Sequence, residues 1–103
     1  MVVATASAEG SGFGLFENTA RGRFELTRDG ELVSFAEFHA DGGNVVVPHV
    51  ETVHAHRGNG YAARLLDGML DMFREQGRTI TPLCSFAAGH VTADPRHREL
   101  LAK

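Results

Sequence analysis

A chain of 103 residues and 11.1 kDa supports one hydrophobic core, because two would leave each half below the size at which burial offsets chain entropy. Hydrophobic residues at 43% and charged residues at 22% exclude a disordered or fibrous chain, and no apolar run approaches the ~20 residues of a bilayer span. A net charge of −3 with a pI near 6.0 lacks the basic excess of a nucleic-acid binder, so the expectation is a soluble protein that engages neither nucleic acid nor membrane, with any positive site local. A lone cysteine, Cys84, rules out an internal disulfide framework and zinc sites needing several thiolates, which suits a reducing cytoplasm. No basic start is followed by an apolar run, so no secretory signal is expected.

Residues 1–12 carry small side chains such as Ala4, Ala6, Ser7 and Gly10, which bury little surface; they read as a flexible segment ahead of one domain over 13–103. Phe13 to Glu17 is a short apolar segment. Arg23 to Arg28 alternates polar and apolar, Asp29-Gly30 is a strong two-residue hairpin signal, and Glu31 to Phe38 resumes a strand. A second turn at Asp41-Gly42-Gly43-Asn44 leads into a third long strand over Val45–Val53, rich in β-branched residues.

From Tyr61 the period becomes helical, with Ala62, Leu65, Leu66, Met69, Leu70 and Phe73 on one face and Arg64, Asp67, Asp71, Arg74 and Glu75 off it; Gly77 is placed to stop the helix. Arg78 to Cys84 reads as a fourth strand, and a last helix starts near Phe86. Strand, helix and strand make a crossover unit with its two strands adjacent and parallel. The expected fold class is therefore α+β: an antiparallel meander, a parallel β-α-β unit and a C-terminal helix. Pro82 interrupts the fourth strand, and a proline removes a ladder donor. Pairing is expected to stop there, so that the third and fourth strands splay into a cleft with unpaired backbone groups.

The segment His54-Ala55-His56-Arg57-Gly58-Asn59-Gly60-Tyr61-Ala62-Ala63 joins the third strand to the helix. Its glycines let amides turn inward as an anion nest, and the free amides and dipole of the helix start add positive potential at the same point. Arg57 and Arg64 flank it, with no acid between Val53 and Leu66; phosphate is the expected ligand. Gly58-x-Gly60-x-x-Ala63 also fits a dinucleotide fingerprint, but the place of the ribose-binding acid reads Thr79-Ile80-Thr81-Pro82 and the chain is too short for that sheet. A P-loop is excluded by the missing Gly-Lys-Ser/Thr.

Read as Arg57-x-x-Gly60-x-Ala62, the loop resembles the pyrophosphate motif Q/R-x-x-G-x-G/A of the GNAT superfamily of N-acetyltransferases. From Arg23 to Leu101 the chain is similar to the small, roughly 100-residue GNAT-like acetyltransferase domains. The resemblance rests on Arg23-Phe24-Glu25, a strand ending in a Thr-Glu-Val-like segment, Arg57-Gly58-x-Gly60 and Pro82-Leu83-Cys84-Ser85-Phe86. It implies the α/β/α GNAT fold and acetyl-CoA as cosubstrate, with no metal. The pyrophosphate would sit on Arg57, Gly58, Asn59, Gly60, Tyr61 and Ala62, and the pantetheine in the cleft beside Thr52 and Val53. It also implies active-site roles for His49 and Cys84. The chain departs from the family pattern in having Val50 after that histidine, Val53-His54 before the loop, His90 for an aromatic in the last helix and Asp94-Pro95 for a closing His-Pro.

Acetyl transfer to an amine needs a base, donors for the oxyanion and an acid for the departing thiolate. His49 suits the base, as does Glu51 through water, while His49 bonded to the strand edge is the plainer reading; backbone amides beside Pro82 suit the oxyanion. Cys84 stands where a strand gives way to a helix, a position that favours thiolate chemistry, and three roles stay open: acetyl acceptor, acid for the thiolate, or packing. His54 and His56 would share one side of a strand, but no third ligand is set by spacing, so a metal between them is discounted. Arg96-His97-Arg98-Glu99 reads as a solvated terminal turn. Two function classes follow, an acetyl-CoA-dependent N-acetyltransferase acting on an unidentified amine, and a CoA-binding module or sensor with little catalysis. A monomer or weak homodimer is expected, the latter through the first hairpin.

Overall fold

The computed structural model describes residues 12–102 and the backbone of residues 2–4. One sheet of six strands runs in the order β1-β2-β3-β4-β5-β6. Strands β1 (Val2–Ala4), β2 (Phe13–Asn18), β3 (Arg23–Arg28), β4 (Glu31–Asp41) and β5 (Asn44–Thr52) are antiparallel neighbours. Helix α1 (Tyr61–Gln76) then carries the chain to β6 (Thr79–Pro82), which lies parallel to β5. The short helices α2 (Ser85–Thr92) and α3 (Pro95–Arg98) follow. The α+β architecture thus matches the expected one.

The first difference is β1. Residues 2–4 pair with Phe16–Asn18 where the sequence suggests a flexible segment; small side chains do not prevent pairing, because a strand edge recruits backbone groups, not side-chain bulk. The rest of that segment up to residue 11 lies outside the described residues. Between β3 and β4, Asp29 and Gly30 adopt φ of 52° and 84°, the two positive values that a twist-matched two-residue hairpin requires. Strand β6 ends at Pro82, two residues before the predicted Cys84, and its other edge is covered by residues 100–102. There Ile80 donates its amide to Leu100 O at 2.8 Å and accepts from the Ala102 amide at 3.0 Å.

Helix α1 packs its predicted stripe on one sheet face: Leu65, Leu66, Met69, Leu70 and Phe73 are fully buried against Phe24, Val33, Ala36, Val45, Val47 and Ile80. Phe73 meets Phe24 edge-on at 5.5 Å, a favoured aromatic arrangement. Ala62, on the same stripe, is only half-buried, because it faces an open cleft. Ser34 is a buried polar exception, and its hydroxyl donates to Glu51 O at 2.8 Å. Ser34→Ala is therefore expected to cost about 1 kcal/mol, read as a lowered urea midpoint at unchanged slope.

The terminal run is not wholly solvated. Arg96, Arg98 and Glu99 are exposed, but His97 is 8% exposed, because Asp94 caps α3 and Pro95 starts it, turning His97 back towards α1 and α2. The Arg96 guanidinium first, and its amide second, hold the Asp94 carboxyl down at about 2 from its ordinary 3.8. A depressed carboxylate contributes stability that is complete above its ordinary value and is lost as pH falls towards the folded one. Asp94→Asn should remove part of the loss of thermal stability between about pH 4 and pH 2, by an amount that shrinks in high salt because the pair is exposed.

Candidate functional site

The cleft begins where β6 ends, at Pro82. Val47 and Pro82 are the last partners of β5 and β6, with the Leu83 amide closing on Val47 O at 2.9 Å. On the other side of β5 the register with β4 shifts between Glu37/His49 and His39/Val46, so Val47 and Pro48 together face Phe38 in a bulge. A bulge is where a missing N–H costs the ladder least, and Pro48 occupies it, a role the sequence reading did not find. Beyond this point β5 continues to Thr52 with β4 alone. Val53 donates its amide to Val33 O at 2.9 Å; by antiparallel alternation, Glu51 and His49 also turn their backbone groups to β4. Val50 and Thr52 turn theirs to the vacated side.

At the end of β5 a single 3-10 turn, His54–His56, leads into the loop. Because these histidines lie in a tight turn and not in a strand, their spacing does not bring them to one side, and His56 instead bonds Glu31 at 2.6 Å. Glu31 is thus an acid beside a loop that has none of its own in sequence. Gly58 and Gly60 take φ of 87° and 74°, values that other residues adopt only with strain, and a Cβ at either would meet nothing within 4 Å. Gly60 caps α1 with no side-chain acceptor, and its carbonyl takes the Arg64 amide at 3.1 Å. Among the described residues no acceptor is recorded for the amides of Tyr61, Ala62 and Ala63, the first turn of a helix with no acid in it.

The predicted cations divide. Arg57 reaches back to Thr52 O with its Nε at 3.4 Å and lines the cleft. Arg64 is drawn onto the Phe13 ring, 4.0 Å from its centroid. A third, Arg28, donates to Tyr61 Oη at 3.0 Å; it was missed because only the antiparallel order of β3, β4 and β5 brings the end of β3 to the end of β5. Tyr61 therefore points into this cluster and anchors the helix start.

A cleft of about 430 Å³ joins β5 to the loop and α2. It is lined by His49, Val50, Glu51 and Thr52, by Arg57 and Ala62, and by Phe86. His49, Glu51, Thr52, Arg57 and Ala62 are thus brought together, while Val53 and residues 58–61 do not line it. Phe86, the apolar wall of the cleft, is 48% exposed; the sequence reading treats it only as a helix start. His49 Nε2 lies 3.0 Å from Glu51 Oε1, both half-exposed, so this ring is bonded to a side chain and not to the strand edge. Cys84 does not line the cleft: half-buried against the core, it caps α2 by accepting the Ala87 amide at 3.4 Å.

A parallel strand pair that ends at Pro82, a glycine loop entering a helix without a side-chain cap and a histidine on β5 beyond the last pair stand together at one place. A family model of the GCN5-related N-acetyl-transferases matches residues 23–100. The chain belongs to that family. Its N-acetyltransferase domain spans most of the sequence. No curated protein sequence matches it. Its fold is similar to the solution structure of a GCN5-like protein from Staphylococcus aureus, with a TM-score of 0.62 at 15% identity over 90% of this chain and 91% of that one. It is also similar to the ribosomal-protein-S18-alanine N-acetyltransferase of Escherichia coli, with a TM-score of 0.58 at 16% identity over 85% of this chain and 55% of that one. No helix among the described residues is long and apolar enough to cross a membrane.

Proposed function

We propose that the protein is an acetyl-CoA-dependent N-acetyltransferase acting on a small or exposed primary amine. The observation that carries this is one continuous track: free amides of the loop and helix start, the edge of β5 at Thr52 and Val50 that β6 leaves uncovered and that Arg57 Nε touches only at Thr52 O, then the His49–Glu51 pair. When bound there, acetyl-CoA supplies an activated acyl group as a thioester.

The amides of residues 58–63 and the positive end of α1 hold the diphosphate, with Arg57 at its flank. Backbone groups of Thr52 and Val50 pair with the amides of the pantetheine arm as a missing strand would. A carboxylate can only accept, so Glu51 takes a hydrogen from Nε2 of the neutral ring and leaves the His49 Nδ1 lone pair free. That nitrogen removes the proton from the attacking amine as the C–N bond forms; the C–S bond breaks with its electron pair going to sulfur, and CoA departs as a thiolate that takes its proton from solvent. Cys84, turned to the Ala87 amide, serves as cap and packing residue, so the acyl group passes directly to the amine.

Titration calorimetry with acetyl-CoA, followed by thiol release with a panel of primary amines, tests this reading. Binding with amine-dependent release of free CoA, equal in the parent and Cys84→Ala, is expected. Binding with no release from any amine favours the CoA-binding module, and an absence of heat overturns both.

A further inference from the structure

Away from the cleft, Asp67 of α1, His90 of α2 and His97 of α3 converge. His90 Nε2 lies 2.7 Å from Asp67 Oδ1 and His97 Nε2 lies 3.8 Å from the same oxygen; one donor atom from each of the three lies within 4.8 Å of the others. The imidazoles stack at 5.6 Å between centroids. The group opens onto a cleft of about 450 Å³.

The anomaly is His97. Its ring is nine-tenths buried, its Nδ1 has no hydrogen-bond partner, and its Nε2 faces Asp67 from beyond hydrogen-bond length. Buried polar groups are almost always satisfied, and an exception calls for a bound water or ion. Neighbouring acids are already engaged: Asp71 pairs with Arg74 at 3.3 Å and Asp94 takes the amide and guanidinium of Arg96. Asp67 is the carboxylate that both imidazoles face, bonded to His90 and 3.8 Å from His97.

The geometry points to a divalent transition-metal site, with Zn²⁺ as the fitting ion, held by Asp67, His90 and His97. Two imidazoles and one carboxylate are the N/O donor type that zinc accepts, with bonds of about 2.0–2.2 Å and water in the open position. Tetrahedral donors at such bond lengths stand about 3.4 Å apart, and the observed spread of 2.7 to 4.8 Å brackets that value, so the set closes by changes in donor separation of up to about 1.4 Å, which side-chain rotation can supply. The ion would tie α1, α2 and α3 together without reaching the reacting groups. This site stands independently of the proposed activity.

The test is titration of the metal-free chain with Zn²⁺ by calorimetry, with Co²⁺ absorption as a second probe of coordination. One ion per chain is expected, with a higher thermal midpoint. Asp67→Asn, at an exposed position that does not endanger folding, should weaken Zn²⁺ by at least the roughly 10–100-fold known for loss of even an outer-shell partner. His97→Gln should do the same, while His56→Gln and Cys84→Ala leave binding unchanged. Equal affinity in the parent and Asp67→Asn, loss of the ion in His56→Gln or Cys84→Ala, or no binding below millimolar Zn²⁺ would each overturn the assignment.

Discussion

Replacing His49 by alanine is expected to lower amine-dependent CoA release by about 10²–10⁴-fold, the range for loss of a positioned general base, while the affinity for acetyl-CoA stays within a few-fold. The split follows from placement. His49 lines the cleft beyond the last β5–β6 pair and bonds Glu51, whereas the loop that would carry the diphosphate lies past Thr52. The alanine removes a proton acceptor and leaves the amide cradle as it was. Glu51→Gln should lie between parent and His49→Ala: an amide can donate as well as accept, so the ring is no longer held in the tautomer with Nδ1 free. The comparison needs both kcat and the calorimetric Kd of each variant; turnover of His49→Ala close to that of the parent would remove the histidine from the mechanism.

Ala62→Asp is expected to have the opposite signature. Ala62 sits in the first turn of α1 and lines the cleft, and that turn contains no acid. An aspartate there would place a negative charge against the diphosphate, and like-charge contact costs several kcal/mol. At 1.4 kcal/mol per decade, this corresponds to about a hundredfold or more in the Kd for acetyl-CoA. Yet a carboxylate in the first helical turn interacts favourably with the dipole and the unpaired amides, worth roughly 0.3–1 kcal/mol. The variant should therefore melt no lower than the parent while binding far less cofactor, with the two quantities read by thermal denaturation and calorimetry. A loss of affinity accompanied by an equal loss of stability would instead mean that the substitution had unfolded the helix start.

Wherever the responsible interaction is local, the sequence is readable. The Asp29-Gly30 hairpin depends on two backbone angles, the α1 stripe on a 3.6-residue period, and the end of pairing at Pro82 on one absent N–H. The glycine loop is legible for the same reason: Gly58 and Gly60 stand where the chain must take positive φ to enter a helix. What escaped was non-local. The β1 pairing depends on an edge presented by β2, and Arg28 reaches Tyr61 across 33 positions of sequence. Phe86 becomes a cleft wall only once α2 is set against β5.

Taken alone, the order of residues determined the class of fold, the end of strand pairing at Pro82 and the loop that starts α1, because each follows from backbone stereochemistry within a few positions. The tertiary structure decided which side chains share a cavity. It set His49 against Glu51, withdrew Cys84 to a helix cap, drew Arg64 onto Phe13 and buried His97 beside Asp67. Those outcomes turn on distances between elements far apart in the chain, which packing of the helices on the sheet sets and no local pattern encodes.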